Sequence, residues 1–330
     1  MKKDIYIFND GELKRKNNTF YFQTEEQKKY LPIEELDSVW VFGEITLNKK
    51  FLEYASQKGI LIHFFNYYEY YIGTFYPREH LNSGYVLLKQ VEAYLDLEKR
   101  LLIAKRIITT AVDNILIVLK YYRKKGKSLQ SYIDDIVGKK EQMKFVEDIP
   151  ALMAYEGNIR EQYYQAFNEI LGNDSFIFSK RSRRPPLDKI NALISFGNSL
   201  MYTTVLSQIY ETNMDPRIGY LHTTNQRRFS LNLDIAEIFK PLIVDRVIFS
   251  LINKKMITEK DFDENYGGIL LKENGRKKFV EEYNKKLMTT IQHKAIGSTV
   301  SYKRVIRLEV YKIQKMITEG VEYNGFVAQW

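Results

Sequence analysis

The chain has 330 residues, 45% of them hydrophobic and 28% charged, the balance of an ordinary globular protein, and its length sets two domains as the expectation. Fifty Lys and Arg against 41 Asp and Glu leave a net charge of +9, which favours an anionic partner such as nucleic acid or a membrane surface. With no cysteine, disulfides and thiolate metal sites are excluded, and any metal has to be held by His, Asp or Glu.

The start, MKKDIYIFNDGEL, has too short an apolar run for a signal segment, and no stretch approaches the roughly 18 apolar residues of a membrane span, so the expectation is a soluble, cytoplasmic protein with no membrane partner. Residues 3–76 read as mainly β, with short alternating or apolar runs at Asp4–Phe8, Leu13–Lys16, Thr19–Gln23, Val39–Phe42, Ile60–Phe65 and Tyr71–Phe75. Asn17-Asn18 suits a hairpin turn, and one helix capped by Asn48 runs to Gln57 and ends at Gly59. His63, in the run ILIHFF, reads as a satisfied core residue, and the aromatics of 64–76 suit packing or a dimer interface better than base stacking.

The segment PREHLNSG at 77–84 marks a boundary, giving a β-rich N-terminal domain over 1–80 and a larger, all-α C-terminal domain over 81–330, an α+β chain overall. A long amphipathic helix is predicted from Tyr85 to Tyr122, broken once, ending in the basic cluster Arg123 to Lys127, which suits a helix C-terminus. In the next helix Asp148 caps, Pro150 fits the first turn, and Leu152, Ile159, Tyr163, Ala166 and Ile170 face inward. Glu156 falls on that apolar stripe. Gly157 beside it leaves room for close approach, and Arg160, four residues on, could instead form an internal pair with it.

The loop 173–188 carries Arg181, Arg183 and Arg184 beside Pro185-Pro186, a geometry that suits phosphate contacts as well as it suits a solvated loop. A helix over 188–211 follows, with small residues for close packing. A turn-rich connection then delivers His222, with Arg227 and Arg228 beside it, to the entrance of the segment Phe229–Leu251. That segment is apolar on two opposite sides, Leu231, Ile235, Ile238, Leu242 and Phe249 against Leu233, Val244, Ile248 and Leu251, so it should be buried. Asp234 and Glu237 sit inside it, one turn apart. Buried carboxylates require arginine partners, a strong hydrogen-bond network or a metal. Pro241, lacking the N–H for the carbonyl of Glu237, should distort the helix just beyond them. Residues 253–278 read as an exposed polar excursion, followed by helices over 277–290 and 301–318, and His293 as a surface residue.

Three chemistries can be assembled from these parts. A hydrolytic triad fails, because there is no Cys and no Ser in a G-x-S-x-G turn. A glycosidase-like pair of Glu156 with Glu237 leaves the basic charge unexplained. A mixed His/carboxylate site from Glu156, His222 and Glu237, with Asp234 as an auxiliary acid, suits Mg²⁺ or Mn²⁺ and metal-assisted phosphodiester chemistry, flanked by arginines. Buried acids in structural ion pairs are the competing reading.

The motifs AYEGNIR at 154–160, RRPPLD at 183–188, NALISFGNSL at 191–200, DPRIGYLH at 215–222 and FSLNLDIAEIFKPLIVDRV at 229–247 together resemble the CRISPR-associated adaptation endonuclease and spacer integrase family (Cas one), in a type I flavour such as subtype I-B. LPIEELDSVWVFGEITL at 31–47 and KGILIHFF at 58–65 look like the β-domain of that family. The resemblance implies a dimerising N-terminal domain and a helical catalytic domain with a divalent-metal site, whose ligands fall on Glu156, His222 and Glu237 and whose auxiliary acid falls on Asp234. The position of Glu237 is often Asp in the family. It further implies a homodimer working with a small CRISPR-associated partner protein, capturing short double-stranded DNA and joining its 3′ ends to the CRISPR repeat by transesterification. Two other readings stay open on the residues: a metal-dependent nuclease of branched DNA in repair, and a non-catalytic basic scaffold that binds nucleic acid.

Overall fold

The computed structural model describes every residue except Met1, Glu69, Glu79, His80, 223–228, Tyr266, 294–296 and Trp330. Arg227, Arg228 and the side chain of His293 lie outside the described residues. The chain divides into two compact units, Met1–Asn82 and Ser83–Trp330.

The first unit runs β1 (Lys3–Ile7), β2 (Gly11–Lys16), β3 (Thr19–Gln23), β4 (Lys28–Leu31), β5 (Leu36–Val41), β6 (Ile45–Leu47), α1 (Lys49–Gln57), β7 (Leu61–Phe65) and β8 (Tyr71–Phe75). Its strands form two four-stranded sheets, β1-β5-β7-β8 and β4-β3-β2-β6. β1, β5 and β7 are parallel, and α1 supplies the crossover that a parallel β5–β7 pair requires. Asn48 caps α1 by accepting from the Phe51 amide, Gly59 follows it at φ 68°, and Asn17 turns the β2–β3 hairpin at φ 54°. Leu13, Phe20, Val39, Phe51 and Ile62 meet in the core. His63 is buried, its Nδ1 2.8 Å from Thr74 Oγ1, the satisfied core histidine expected of an apolar run. The sequence did not reveal β4 and β6, which are short and mostly exposed or half-buried.

The second unit is mainly helical: α2 (Gly84–Leu95), α3 (Leu97–Lys124), α4 (Gln130–Met143), α5 (Ile149–Leu171), α6 (Lys189–Tyr210), α7 (Leu231–Phe239) and α8 (Arg246–Asn253), then α9 (Glu273–Met288) and α10 (Tyr302–Glu319). Side chains of Ser83, Asp96, Asp148, Asp188 and Ser301 cap α2, α3, α5, α6 and α10, each accepting an amide three residues on. Asp96 ends α2 and starts α3, so the long predicted helix is broken there. The unit also contains two β-hairpins, β9 (Phe262–Asn265) with β10 (Gly268–Leu271), and β11 (Thr290–His293) with β12 (Ser298–Ser301). The stretch read as an exposed excursion is therefore partly ordered as a hairpin, and α9 begins four residues earlier than 277 because Glu273 and Gly275 belong to it. The Ile269 amide of that hairpin donates to the Pro186 carbonyl at 2.8 Å, tying it to the loop before α6.

The segment α7 to α8 is the centre of this unit, with α7 packed between α3 and α6. Between them, Pro241–Asp245 forms a π turn, in which the Asp245 amide donates to the Lys240 carbonyl at 3.0 Å. Proline's missing N–H is the local reason, and the distortion falls where the sequence placed it. Gly197 of α6 lets this segment come close: a Cβ there would lie 2.5 Å from Val244.

Candidate active site

α5 contributes Glu156 and Arg160, α7 contributes Asp234 and Glu237, Lys240 follows α7 directly, and the loop between α6 and α7 contributes His222. Glu237 is 4% exposed and Arg160 12%, so neither charge is solvated and each needs a partner. Arg160 supplies it on two sides: Nη2 pairs with Glu237, and Nε donates to Glu156 Oε1 at 3.3 Å. Lys240 Nζ donates to the other oxygen of Glu237 at 2.5 Å and lies 4.7 Å from the centre of the Tyr202 ring. Burial works against ionisation of Glu237, but Lys240 and Arg160 overcome it and bring its pKa down to about 2.

His222 is placed by Asp234, which is fully buried and accepts the amides of Tyr220 at 2.6 Å, Leu221 at 3.0 Å and His222 at 2.9 Å. The same carboxylate contacts His222 Nδ1 at 2.8 Å, so Nε2 is the ring nitrogen left for a ligand. Burial lowers the imidazole's pKa, but the hydrogen bond and charge of Asp234, with Glu237, raise it overall. The loop fits under α7 because residue 219 is glycine: a Cβ there would lie 2.8 Å from Asp234 Oδ2 and 2.8 Å from the Ser230 carbonyl carbon. Gln90 of α2 accepts the Asp215 amide and donates to the Asp215 and Ile218 carbonyls, while Arg100 of α3 donates to that of Tyr220.

The structure thus brings Glu156 and Glu237 together through one guanidinium and leaves His222 within electrostatic reach of Glu237. Among the described residues, no three His, Asp or Glu side chains stand together as metal ligands would; Glu156 pairs with Arg160, and Glu237 with Arg160 and Lys240. Gly157 faces open space, with nothing within 4 Å of a Cβ built on it. Of the candidate arginines, Arg181 donates to Asn191 Oδ1 at 2.6 Å and Ser195 Oγ at 3.0 Å, fastening its loop to α6. Arg183 and Arg184 are exposed.

Residues 5–285 match the family model described as CRISPR associated protein Cas1. A CRISPR-associated endonuclease Cas1 from Thermodesulfovibrio yellowstonii is 54% identical over 330 residues, 100% of both chains. The chain belongs to the Cas1 family. A solved Cas1 protein from Thermotoga maritima superposes with a TM-score of 0.89 at 46% identity, covering 98% of this chain and 99% of the other. A casposase bound to its integration product has a TM-score of 0.89 at 23% identity, covering 99% of this chain and 93% of that one, a likeness of fold. No described helix is long and apolar enough to cross a membrane.

Two residues of the candidate site were not evident from the sequence. Lys240 stands before a proline, where a lysine reads as a solvated helix-end residue, yet it is 5% exposed; its spacing of three from Glu237 was the available signal. Asp245 is fully buried. Both its oxygens, Tyr163's hydroxyl and Arg160 Nη1 lack a hydrogen bond of normal geometry, although the guanidinium and hydroxyl lie near enough to moderate the effect of burial, which pushes Asp245 up to about 7.

Proposed function

We propose that this chain is a metal-dependent endonuclease and integrase of CRISPR adaptation, joining the 3′ ends of short double-stranded DNA to the CRISPR repeat by transesterification. The carrying observation is that Glu156, from one helix and 23% exposed, and Glu237, from another and almost wholly buried, share the Arg160 guanidinium. Two carboxylates and an imidazole are hard oxygen and nitrogen donors that fit Mg²⁺ or Mn²⁺, and the cationic charge they now receive from Arg160 and Lys240 is the charge a divalent ion would supply. Glu156, Glu237 and His222 Nε2 would hold that ion, which supplies Lewis acidity to the scissile phosphate and the leaving 3′-oxygen. Asp234 fixes the imidazole tautomer and holds its loop. Lys240 keeps Glu237 ionised, and no covalent enzyme nucleophile is required. The exposed Arg183 and Arg184 contact phosphates, and family resemblance supports a β-domain homodimer and a small CRISPR-associated partner protein.

The experiment is joining of a labelled DNA fragment to a repeat-containing duplex, with and without Mg²⁺ or Mn²⁺, using the wild-type chain, His222→Ala and Glu156→Gln, with the partner protein present. Joining that needs metal and is lost in both variants, while DNA binding and the melting curve persist, supports the reading. Full activity of either variant, or cutting of branched DNA with no joining, overturns it.

A further inference from the structure

Resting on that metal site, we propose that Arg160 is an exchangeable internal cation: it holds Glu156 and Glu237 in the metal-free protein and hands its guanidinium to Asp245 when those carboxylates are given over to a divalent cation. Asp245 is then a positioning residue that sets metal affinity through Arg160.

The first ground is that Arg160 is not fully used where it stands. Nε and Nη2 serve Glu156 and Glu237, while Nη1 is buried with no hydrogen-bond partner. The second is that Asp245 has spare capacity of the matching kind. It is 0% exposed, neither oxygen makes a hydrogen bond of normal geometry, and the polar groups beside it are the Tyr163 hydroxyl and the Arg160 guanidinium. Burial favours the neutral form of such a carboxyl, and a guanidinium brought against it would let it ionise and take up the released charge. The third is proximity: α5 packs against α8, which Asp245 precedes, and Arg160 and Asp245 each perturb the other's ionisation. Tyr163, three residues after Arg160 on α5, lies beside Asp245 and offers the hydroxyl that completes a receiving site.

The exchange is a movement of the Arg160 side chain between neighbouring carboxyl groups. It also balances charge. Glu156 and Glu237 trade a monovalent partner for a divalent one, and the released guanidinium is neutralised by Asp245 instead of remaining against the incoming ion. Without Asp245, loading the site would leave a buried arginine facing a divalent cation across the same carboxylates. The π turn that ends on Asp245 is the kind of helix interruption that recurs at functional sites.

The test is Mn²⁺ binding to the full chain without DNA, by calorimetry and by loss of the free-ion EPR signal, for wild type, Arg160→Gln, Asp245→Asn and the double variant. Arg160→Gln should tighten binding and Asp245→Asn weaken it, each by about tenfold, and in the Arg160→Gln background Asp245→Asn should change affinity less than about twofold. Equal weakening by Asp245→Asn in both backgrounds, or no tightening in Arg160→Gln, overturns the exchange while leaving the metal site intact. In wild-type protein, where folding is not in question, the Arg160 Nε–H resonance should move on addition of Mg²⁺; a signal unmoved at saturation also overturns it. Absence of Mn²⁺ binding in wild type overturns the metal reading and this inference together.

Discussion

Lys240 Nζ lies 2.5 Å from Glu237 Oε1, three residues along the same helical segment, and both side chains are almost wholly buried. Neither charge has water to fall back on, so each is the other's solvent. Lys240→Met should therefore cost about 3 kcal/mol in urea unfolding, because it leaves part of a buried carboxylate uncompensated. Lys240→Arg should recover part of that loss. A stability for Lys240→Met within about 0.5 kcal/mol of wild type would show that Arg160 alone satisfies Glu237.

The two buried acids drive the pH dependence of stability in opposite directions. Glu237, ionised down to about 2 against an ordinary 4.5, contributes stability that is present above pH 4.5 and lost as pH falls through 2. Asp245 is raised from 3.8 to about 7, so its contribution is complete below pH 3.8 and is lost as pH rises through 7. Asp245→Asn should remove a downward slope of about 1.4 kcal/mol per pH unit between those two values. Chemical denaturation at pH 5, 6 and 7 measures it, and parallel wild-type and variant profiles would contradict the assignment.

Much of this site could be read from residue order, for a physical reason: a charge placed on an apolar stripe is conspicuous. Glu156 among Leu152, Ile159 and Tyr163, and Asp234 with Glu237 in an apolar helix, stood out in that way. Arg160 was visible only as a possible partner of Glu156, since spacing shows the pair four residues apart and not the second pair 77 residues away. Asp245 and Lys240 follow or precede ordinary helical residues, and only the folded π turn shows that both are enclosed. In the fold, α4 was missed because Ile133, Ile136 and Met143 are the only buried positions in an otherwise polar helix. The β9–β10 hairpin was missed because the Gly267-Gly268 pair, with Gly267 in the turn at φ 74° and Gly268 opening β10, reads equally well as an open loop.

Asp234→Asn tests the loop anchor. The asparagine has one acceptor oxygen where the carboxylate serves three amides and an imidazole, so the substitution should cost about 3 kcal/mol. Hydrogen exchange should accelerate at the amides of Tyr220, Leu221 and His222 ahead of the rest of the unit. Exchange that stays as slow as in wild type would mean that Gln90 and Arg100 hold the loop without it.

Arg181 and its neighbours should separate on DNA. Neutralising Arg183 and Arg184 together should lower the slope of log affinity against log salt by about 2. Arg181→Ala should instead lower the melting temperature, since its guanidinium fastens the loop to Asn191 and Ser195. A salt slope that falls only in Arg181→Ala would reverse these roles.

The three amides gathered by Asp234 have a consequence for His222. Although His222 lies between two helices, its imidazole and its backbone amide are held by one side chain of α7, three residues along the chain from Glu237. Histidine and glutamate are therefore both anchored to the same helix. Their separation is set from α7, which carries both Asp234 and Glu237.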